Sequence, residues 1–373
     1  MRTLVLLMLL LGAVTTFAAE TPAAQGSTER HLLYVAVPGI RSDVATGGTG
    51  ILVFDIDHDH QFVRRITVPA LGTEEHPVAA KGVCASAVTG RLYVSTPKNL
   101  SCVDLTTDKV LWEKSYDFGC DRMSITPDGK TLYEPTMEGG YWHVIDAEDG
   151  NERVKITTGS GAHNTICSLD GAHAYLAGLR SPVLAVVDTK TEAIASNVGP
   201  FAAQIRPFTV NGRGTLCYVC INKLLGFEIG DLVTGKKLYR VEVQGVPTGP
   251  TKRHGCPSHG IGLTPDEKEI WVVDGHNSQV HIFDNTVMPP KQMQSIAVRE
   301  QPGWVTFSLD GKYAYPSTGD VIDVKSKKII TGLTDERGRA VASEKLLEID
   351  FIGDKPSHTA DQFGLGRVME LRK

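Results

Sequence analysis

Charge and long apolar runs are both scarce in this sequence. Only 22% of its 373 residues are charged and the formal net charge is −5, without a cluster of lysine and arginine. Nucleic acid is therefore disfavoured as the main partner, because phosphate binding requires such a basic cluster. After residue 20 no apolar segment approaches the length of a membrane span, so we expect no span in the mature chain.

Uninterrupted helical windows are also missing. The chain contains 38 glycines and 19 prolines, which recur too often to leave room for a coiled coil or a long helical bundle. Disorder is disfavoured as well, because apolar residues make up 41% of the chain and are spread along it. The composition therefore predicts a globular protein rich in strands, with glycine and proline marking its turns.

Several enzyme motifs are absent too. The sequence contains no HExxH, no GxSxG, no P-loop and no GxGxxG phosphate loop in its required context, which disfavours zincin proteases, serine hydrolases and nucleotide-dependent enzymes. Cys217 and Cys220 have CxxC spacing, but Ile221 follows in place of the histidine that covalent haem attachment requires. We therefore expect neither haem nor a nucleotide cofactor. Most of the seven cysteines are expected to be buried thiols, and a disulfide is left open.

The first nineteen residues have the layout of a signal peptide. A short basic start at Arg2 precedes an apolar run over residues 4–14, and small residues follow at Ala18 and Ala19. A membrane anchor is the alternative, but eleven apolar residues are short for spanning a bilayer. We expect a signal peptide over residues 1–19, a flexible leader over 20–30, and a periplasmic or secreted protein.

The body of the chain is a repeat. An apolar stretch, an Asp/Gly turn and a β-rich strand recur, and Asp-Gly between alternating apolar runs favours a hairpin. A second hairpin follows each copy, so each unit has four strands. The turn residues are spaced by 39 to 55 residues and are Thr89, Asp128, Asp170, Asn211, Asp266 and Asp310. A period near forty with four strands per unit is typical of a β-propeller blade.

These motifs resemble those of the YVTN/YncE-type, lactonase-like seven-bladed β-propellers. The resemblance covers nearly the whole mature chain, but its motifs are structural and specify no activity. It implies an all-β fold of seven four-stranded antiparallel blades, in a single domain over residues 31–373 that ends in a C-terminal tail. Its implications for function stay open, because propellers of this type serve both as enzymes and as scaffolds.

Ring closure can also be predicted. Six units carry the full repeat, whereas the unit that starts at His31 has no inner strand before it. We predict that the stretch near residues 340–351 supplies this strand and closes the ring, which hides the edges of the sheets. The tail over residues 357–364 is too polar to be expected as a strand.

Counting back from the turns predicts which residues surround the mouth of the central channel, where the inner strands begin. The first predicted ring contains Gly82, Asp121, His163, Gln204, His259 and Gly303. A second, outer ring contains Lys98, Glu138, Arg180, Lys223 and His276. Three long connections, over residues 38–50, 69–81 and 245–258, are expected to thicken the same face.

The histidines suggest catalysis or metal binding. Imidazoles from His163, His259 and His276 are candidate ligands of a divalent metal of unknown identity, with Gln204 or Asp121 completing the shell. The same three histidines are candidate catalytic acids or bases. The alternative is that they hydrogen-bond loop carbonyl groups and bind nothing.

Basic side chains at the same mouth suggest a small anionic ligand. Guanidinium groups bind carboxylates bidentately, so a uronate or a lactone-derived acid fits, and Trp304 is a candidate for stacking on a sugar or for a place in the core. The alternative is that the cations pair with Asp121 and Glu138 and only tie blades together. The candidate ligand-binding residues are Arg122, Arg180, Arg206, Lys98, Lys223, Glu138 and Trp304.

Two functions of different classes follow. The first is an exported lyase or lactonase acting on a small anionic, carbohydrate-like substrate, with or without a metal. The second is a non-catalytic propeller that binds a ligand or another exported protein, as a subunit of a larger complex. The polar mouth favours the first, and the absence of a complete catalytic motif favours the second.

Overall fold

The computed structural model describes residues 29–251 and 255–369. In this part of the chain 29 strands form seven antiparallel sheets, which are arranged as the blades of a β-propeller. A single short 3-10 helix spans Pro69–Leu71 in the same described residues. The predicted all-β, seven-bladed fold is therefore confirmed. The proposed signal peptide and all of the leader except its last two residues lie outside the described residues.

Blades 2 to 7 each consist of four consecutive strands, with the inner strand first. Blade 2 contains β4 (Gly82–Ser86), β5 (Arg91–Ser95), β6 (Asn99–Asp104) and β7 (Val110–Ser115). Blade 3 contains β8 (Ser124–Ile125), β9 (Thr131–Pro135), β10 (Tyr141–Asp146) and β11 (Glu152–Thr157). Blade 4 contains β12 (Ala162–Cys167), β13 (His173–Gly178), β14 (Leu184–Asp188) and β15 (Ala193–Val198). Blade 5 contains β16 (Ile205–Val210), β17 (Leu216–Ile221), β18 (Gly226–Asp231) and β19 (Lys237–Glu242). Blade 6 contains β20 (Ile261–Leu263), β21 (Glu269–Asp274), β22 (Gln279–Asp284) and β23 (Lys291–Ala297). Blade 7 contains β24 (Val305–Phe307), β25 (Tyr313–Pro316), β26 (Asp320–Asp323) and β27 (Lys328–Gly332).

Blade 1 joins the two ends of the chain. Its strands lie in the order β29–β28–β1–β2–β3, in which β1 and β28 form seven antiparallel residue pairs. The predicted closing strand is thus confirmed, and the first strand begins two residues earlier than expected. The strands are β1 (Glu29–Val37), β2 (Gly50–Asp55), β3 (Gln61–Ile66), β28 (Leu346–Ile352) and β29 (Lys355–Thr359).

The tail differs from the expectation in that its start forms a strand. β29 pairs with β28 although its sequence, KPSHT, is largely polar. The reason is that β28 presents a second edge of unpaired backbone groups, and backbone pairing satisfies them whatever side chains the new strand carries. Side-chain polarity alone therefore does not predict whether this segment forms a strand.

The rest of the tail crosses the lower end of the channel. Gln362 accepts a hydrogen bond from the amide of Val83 in blade 2, and Gly364 accepts one from the amide of Leu263 in blade 6. The amide of Gly366 donates to Val210 in blade 5. Because inner strands on different sides of the ring are bonded to one segment, the tail lies across the central channel.

Burial decreases from the centre of a blade to its outside. Every residue of the inner strand β12 is buried, whereas the outer strand β7 alternates between half-buried and exposed residues. This follows from the architecture, because the blades lie closest together near the channel, so neighbouring blades cover the inner strands more fully than the outer ones. All seven cysteines are buried free thiols. Within the described residues no helix is long and apolar enough to cross a membrane.

The repeated Asp/Gly turn is a hydrogen-bonded unit. In blade 7 the Asp310 carboxylate accepts bonds from the Ser308 hydroxyl (2.8 Å) and the Lys312 amide (2.9 Å). Gly311 adopts a φ of 71°, in the left-handed region that side chains with a Cβ disfavour. The repeat in the sequence therefore encodes the turn between the first two strands of a blade.

We predict that Gly311→Ala destabilises the protein by about 1 kcal/mol, because alanine in the left-handed region costs that much. The new Cβ would lie 3.4 Å from Pro265, an ordinary contact, so the effect isolates the backbone conformation. Gly140→Ala is the matched control, since Gly140 has no positive φ and open space around its Cβ position. Urea unfolding measures both variants, and equal stabilities would contradict the role of the turn.

Candidate functional site

A cavity of about 300 Å³ opens at the mouth of the channel, where the inner strands begin. We call it the mouth pocket. It is lined by Ile40, Arg41, Ala79, Ala80, Lys81, Arg122, Glu138, His163, Leu179, Arg206, Gly255, His259, Glu344 and Lys345. The three long connections reach it as expected, since each contributes at least one lining residue.

Two residues that line the mouth pocket, His163 and Arg122, belong to a hydrogen-bonded Asp–His–Arg chain. Asp121, which is fully buried just before β8, lies 2.5 Å from Nδ1 of His163 in the next blade. The other ring nitrogen, Nε2, lies 3.0 Å from Nη1 of Arg122. Arginine can only donate, so Nε2 accepts and Nδ1 carries the proton that it donates to Asp121.

The pKa values in this chain are consistent with a neutral imidazole. Burial lowers the pKa of His163 and outweighs the opposing effect of Asp121, while the Arg122 charge lowers it further. Burial alone would raise the pKa of Asp121, but His163, Lys81 and Arg122 together bring it below its ordinary value. The pair is therefore a charged carboxylate beside a neutral histidine.

Arg122 links blade 3 to blade 1 across the channel. Its Nη2 donates to Oε2 of Glu344 at 2.9 Å, and its guanidinium lies 5.0 Å from the centre of the Trp304 ring. Trp304 is buried below the arginine, where its indole N–H bonds Gln362 of the tail. Trp304 thus belongs to the floor, and this geometry places it in the core and not against a sugar.

Lys345 is the most unusual group of the mouth pocket. It is buried, and its Nζ donates to Glu344 (2.7 Å) and to the carbonyl oxygen of Gly39 (3.1 Å). Burial lowers its pKa to about 7, helped by the charge of Arg122 and opposed by Glu344. An amine with such a pKa exchanges its proton near neutral pH, as catalytic lysines do.

Arg206 provides positive charge at the rim. Its Nε donates to the side-chain oxygen of Asn222 at 2.6 Å, and Nη2 lies 3.3 Å from the carbonyl oxygen of Gly255. Both partners are neutral, and no carboxylate of the described residues forms an ion pair with it. Its charge is therefore available to an anionic ligand.

The three predicted metal-binding histidines are not brought together. His163 and His259 line the mouth pocket, but Nδ1 of His259 bonds the carbonyl oxygen of Gly303. His276 lies outside it against Gly249, and Gln204 is exposed and bonded to Asn222. In the described parts of the chain these residues do not form a group of metal-ligand atoms. The divalent metal and the catalytic role of the histidines stay predictions.

Of the predicted outer ring, only part lies at the mouth pocket. Glu138 lines the mouth pocket, whereas Arg180, Lys98 and Lys223 are exposed and do not. Arg180 donates to the backbone oxygen of Glu138 at 2.7 Å, which links two blades at the surface. Among the predicted ligand-binding residues the structure thus places Arg122, Arg206 and Glu138 around one cavity.

Sequence reasoning missed Lys81, Glu344 and Lys345. Lys81 and Lys345 lie directly before an inner strand, and Glu344 lies two residues before one. Asp121 and His259 occupy similar positions in their blades. The register count starts from the turn residues of the six complete repeats, and the closing strand β28 carries no such repeat. Glu344 and Lys345 therefore lie outside the count although they lie at the mouth.

Comparison with solved structures supports the fold, and 1699 chains match. A chain of hydrazine synthase from Kuenenia stuttgartiensis is 14% identical with a TM-score of 0.59, covering 85% of this chain and 97% of that one. A chain of a mitotic checkpoint complex is 13% identical with a TM-score of 0.60, covering 83% and 94%. No family model and no curated protein matches. At such identities the similarity shows the fold alone.

We predict that Asp121→Asn lowers the free energy of unfolding at pH 7 by about 3 kcal/mol, because it removes the buried negative charge that faces Lys81 and Arg122. Asparagine also has only one side-chain oxygen, so it cannot accept both the His163 and the Arg122 hydrogen bonds that the two oxygens of Asp121 accept. Asp354→Asn is the control, since that side chain is 97% exposed and should be silent. Denaturant unfolding decides, and an unchanged Asp121→Asn variant would contradict the structural role of the chain.

Proposed function

We propose that the mouth pocket binds a small carboxylate, derived from a carbohydrate or a lactone. The observation that carries this proposal is the charge of the lining, in which five basic side chains face two carboxylates. A volume of about 300 Å³ is at the lower end of ligand cavities, which suits a single sugar acid. We further propose an exported, YVTN-type propeller, on the strength of the repeat and the leader layout.

Arg206 is the preferred partner of the ligand carboxylate. The other guanidinium of the predicted set, Arg122, already bonds Glu344 and His163, so it serves mainly to hold the site together. Arg206 bonds only neutral groups in the described structure and presents its remaining N–H donors to the mouth. Bidentate binding of a carboxylate is the recognition mode to which a guanidinium is best suited.

Lyase or lactonase chemistry is a second candidate, favoured by Lys345. Its neutral amine can remove the proton from the carbon next to the ligand carboxylate, and the β-oxygen substituent then leaves with the bonding electrons. Alternatively it can take a proton from a water that attacks a lactone carbonyl. The lone pair of His163 already accepts from Arg122, whereas the neutral Lys345 amine keeps its lone pair while it donates to Glu344 and Gly39, so Lys345 is the better base.

The non-catalytic alternative is a propeller that binds another protein. It is supported by the neighbour found in a mitotic checkpoint complex, an assembly by its description. The concentration of charge inside a cavity instead of on an open surface favours the small ligand.

We predict that Arg206→Ala weakens carboxylate binding at least tenfold, because a hydrogen bond to a charged group contributes about 1.5–3 kcal/mol. Titration calorimetry against hexuronates, aldonates and the neutral parent hexoses gives the measurement. Arg337→Ala, which removes a 61% exposed surface guanidinium, is the matched control. Binding of the neutral hexoses with equal affinity, or no loss in Arg206→Ala, would refute the proposal.

The pH dependence of binding is a separate prediction. Lys345 has a pKa of about 7, so it is mostly charged at pH 6 and mostly neutral at pH 8. An anion that binds beside the charged form should therefore lose about tenfold in affinity between these values. In Lys345→Met most of this dependence should disappear. Affinity that rises with pH in the unaltered protein would exclude Lys345 as a contact.

A further inference from the structure

A second cluster of chemically reactive side chains lies where the ends of the chain meet. In blade 1, His31 of β1 and His358 of β29 are both paired directly with Asp350 of β28. Residues paired directly in a sheet point to the same face. Three strands therefore place a His–Asp–His row on one face of the closing sheet.

Three residues in and beside this row have the spacing of candidate metal ligands, and His31 lies next to them. Ligand atoms of Glu29, Asp350 and His358 all lie within 4.8 Å of one another. Nε2 of His31 lies 3.9 Å from Oε1 of Glu29, and Nδ1 of His358 lies 4.0 Å from Oδ2 of Asp350. We call Glu29, His31, Asp350 and His358 the closing cluster.

Asp350 gives an independent reason to expect a ligand. Its side chain is only 8% exposed, and Oδ1 makes no hydrogen bond within the described structure. A buried carboxylate oxygen without a partner is costly, and a bound cation removes that cost.

His31 is already oriented as a metal ligand. Its Nδ1 lies 2.8 Å from Oδ1 of Asp57, which therefore accepts the Nδ1 proton. The imidazole then presents Nε2, with its lone pair, on the side of Glu29. Carboxylate–histidine pairs of this kind fix the tautomer of metal-binding histidines in proteins.

We propose that the closing cluster binds a Zn²⁺ ion that joins the two ends of the chain. In the proposed site Glu29, Asp350 and His358 supply three ligand atoms, and Nε2 of His31, which lies 3.9 Å from Glu29, supplies the fourth. Such a set of nitrogen and oxygen ligands suits Zn²⁺. Glu29 and His31 come from the first strand, and Asp350 and His358 from the last two. The ion thus ties together segments more than 300 residues apart, where a cross-link restrains the unfolded chain strongly.

Calorimetric titration of ZnCl₂ into the metal-free chain, purified without a histidine tag, tests the proposal. We expect one ion per chain, a higher Tm with Zn²⁺, and the loss of both effects in His358→Ala and Asp350→Asn. His358 is 67% exposed, so its replacement should not impair folding. Asp57→Asn should weaken binding by about 10–100-fold while keeping the stoichiometry.

His58→Ala is the matched control, because His58 is an exposed histidine of the same blade that pairs with Asp55 outside the cluster. It should bind Zn²⁺ like the unaltered chain. Absence of a stoichiometric titration overturns the proposal. So does undiminished binding in His358→Ala, or equal losses in His358→Ala and His58→Ala, which would indicate a non-specific effect of removing imidazoles.

Discussion

The pairing of β28 with β1 is the contact on which the rest of the structure depends. Seven residue pairs join strands from opposite ends of the chain, and they convert an open array of blades into a ring. Without them the inner edge of β1 and the faces of blades 2 and 7 would be exposed. The contact is also non-local, so its formation must overcome the entropy of closing nearly the whole chain.

The same closure assembles the mouth pocket. Glu344 and Lys345 directly precede β28, and they reach Arg122 of blade 3 only when that strand is in place. Arg122 in turn orients His163, so the polar groups at the mouth form one connected network whose members come from separate blades. Below it, Trp304 and the tail fill the channel, which leaves the charged groups in a shallow cavity with a solid floor.

The repeat determined how much could be predicted from sequence. Turns at intervals of 39 to 55 residues specify local hairpins and predict the number of blades, and the missing inner strand of the first blade predicts the closing strand. The site was harder, because a register count gives the height of a residue in the channel but not the direction of its side chain. His276 and Gln204 fit the count yet do not line the cavity. Lys345 has no signal in the sequence, because its strand carries no repeat. β29 cannot be predicted from its polar side chains, because backbone pairing determines whether a strand is added to the edge of a sheet.

Closure of the ring through β28 and ligand binding at the mouth pocket should be linked thermodynamically. A ligand that contacts Lys345 and Arg206 touches residues of blades 1 and 5 at once, so it stabilises the closed ring relative to any state in which β28 has detached. A cation in the proposed closing cluster would act on the same equilibrium from the opposite end of β28, through Asp350. The two proposed sites share one strand and need no conformational pathway between them, because each would bind only the state in which that strand is paired.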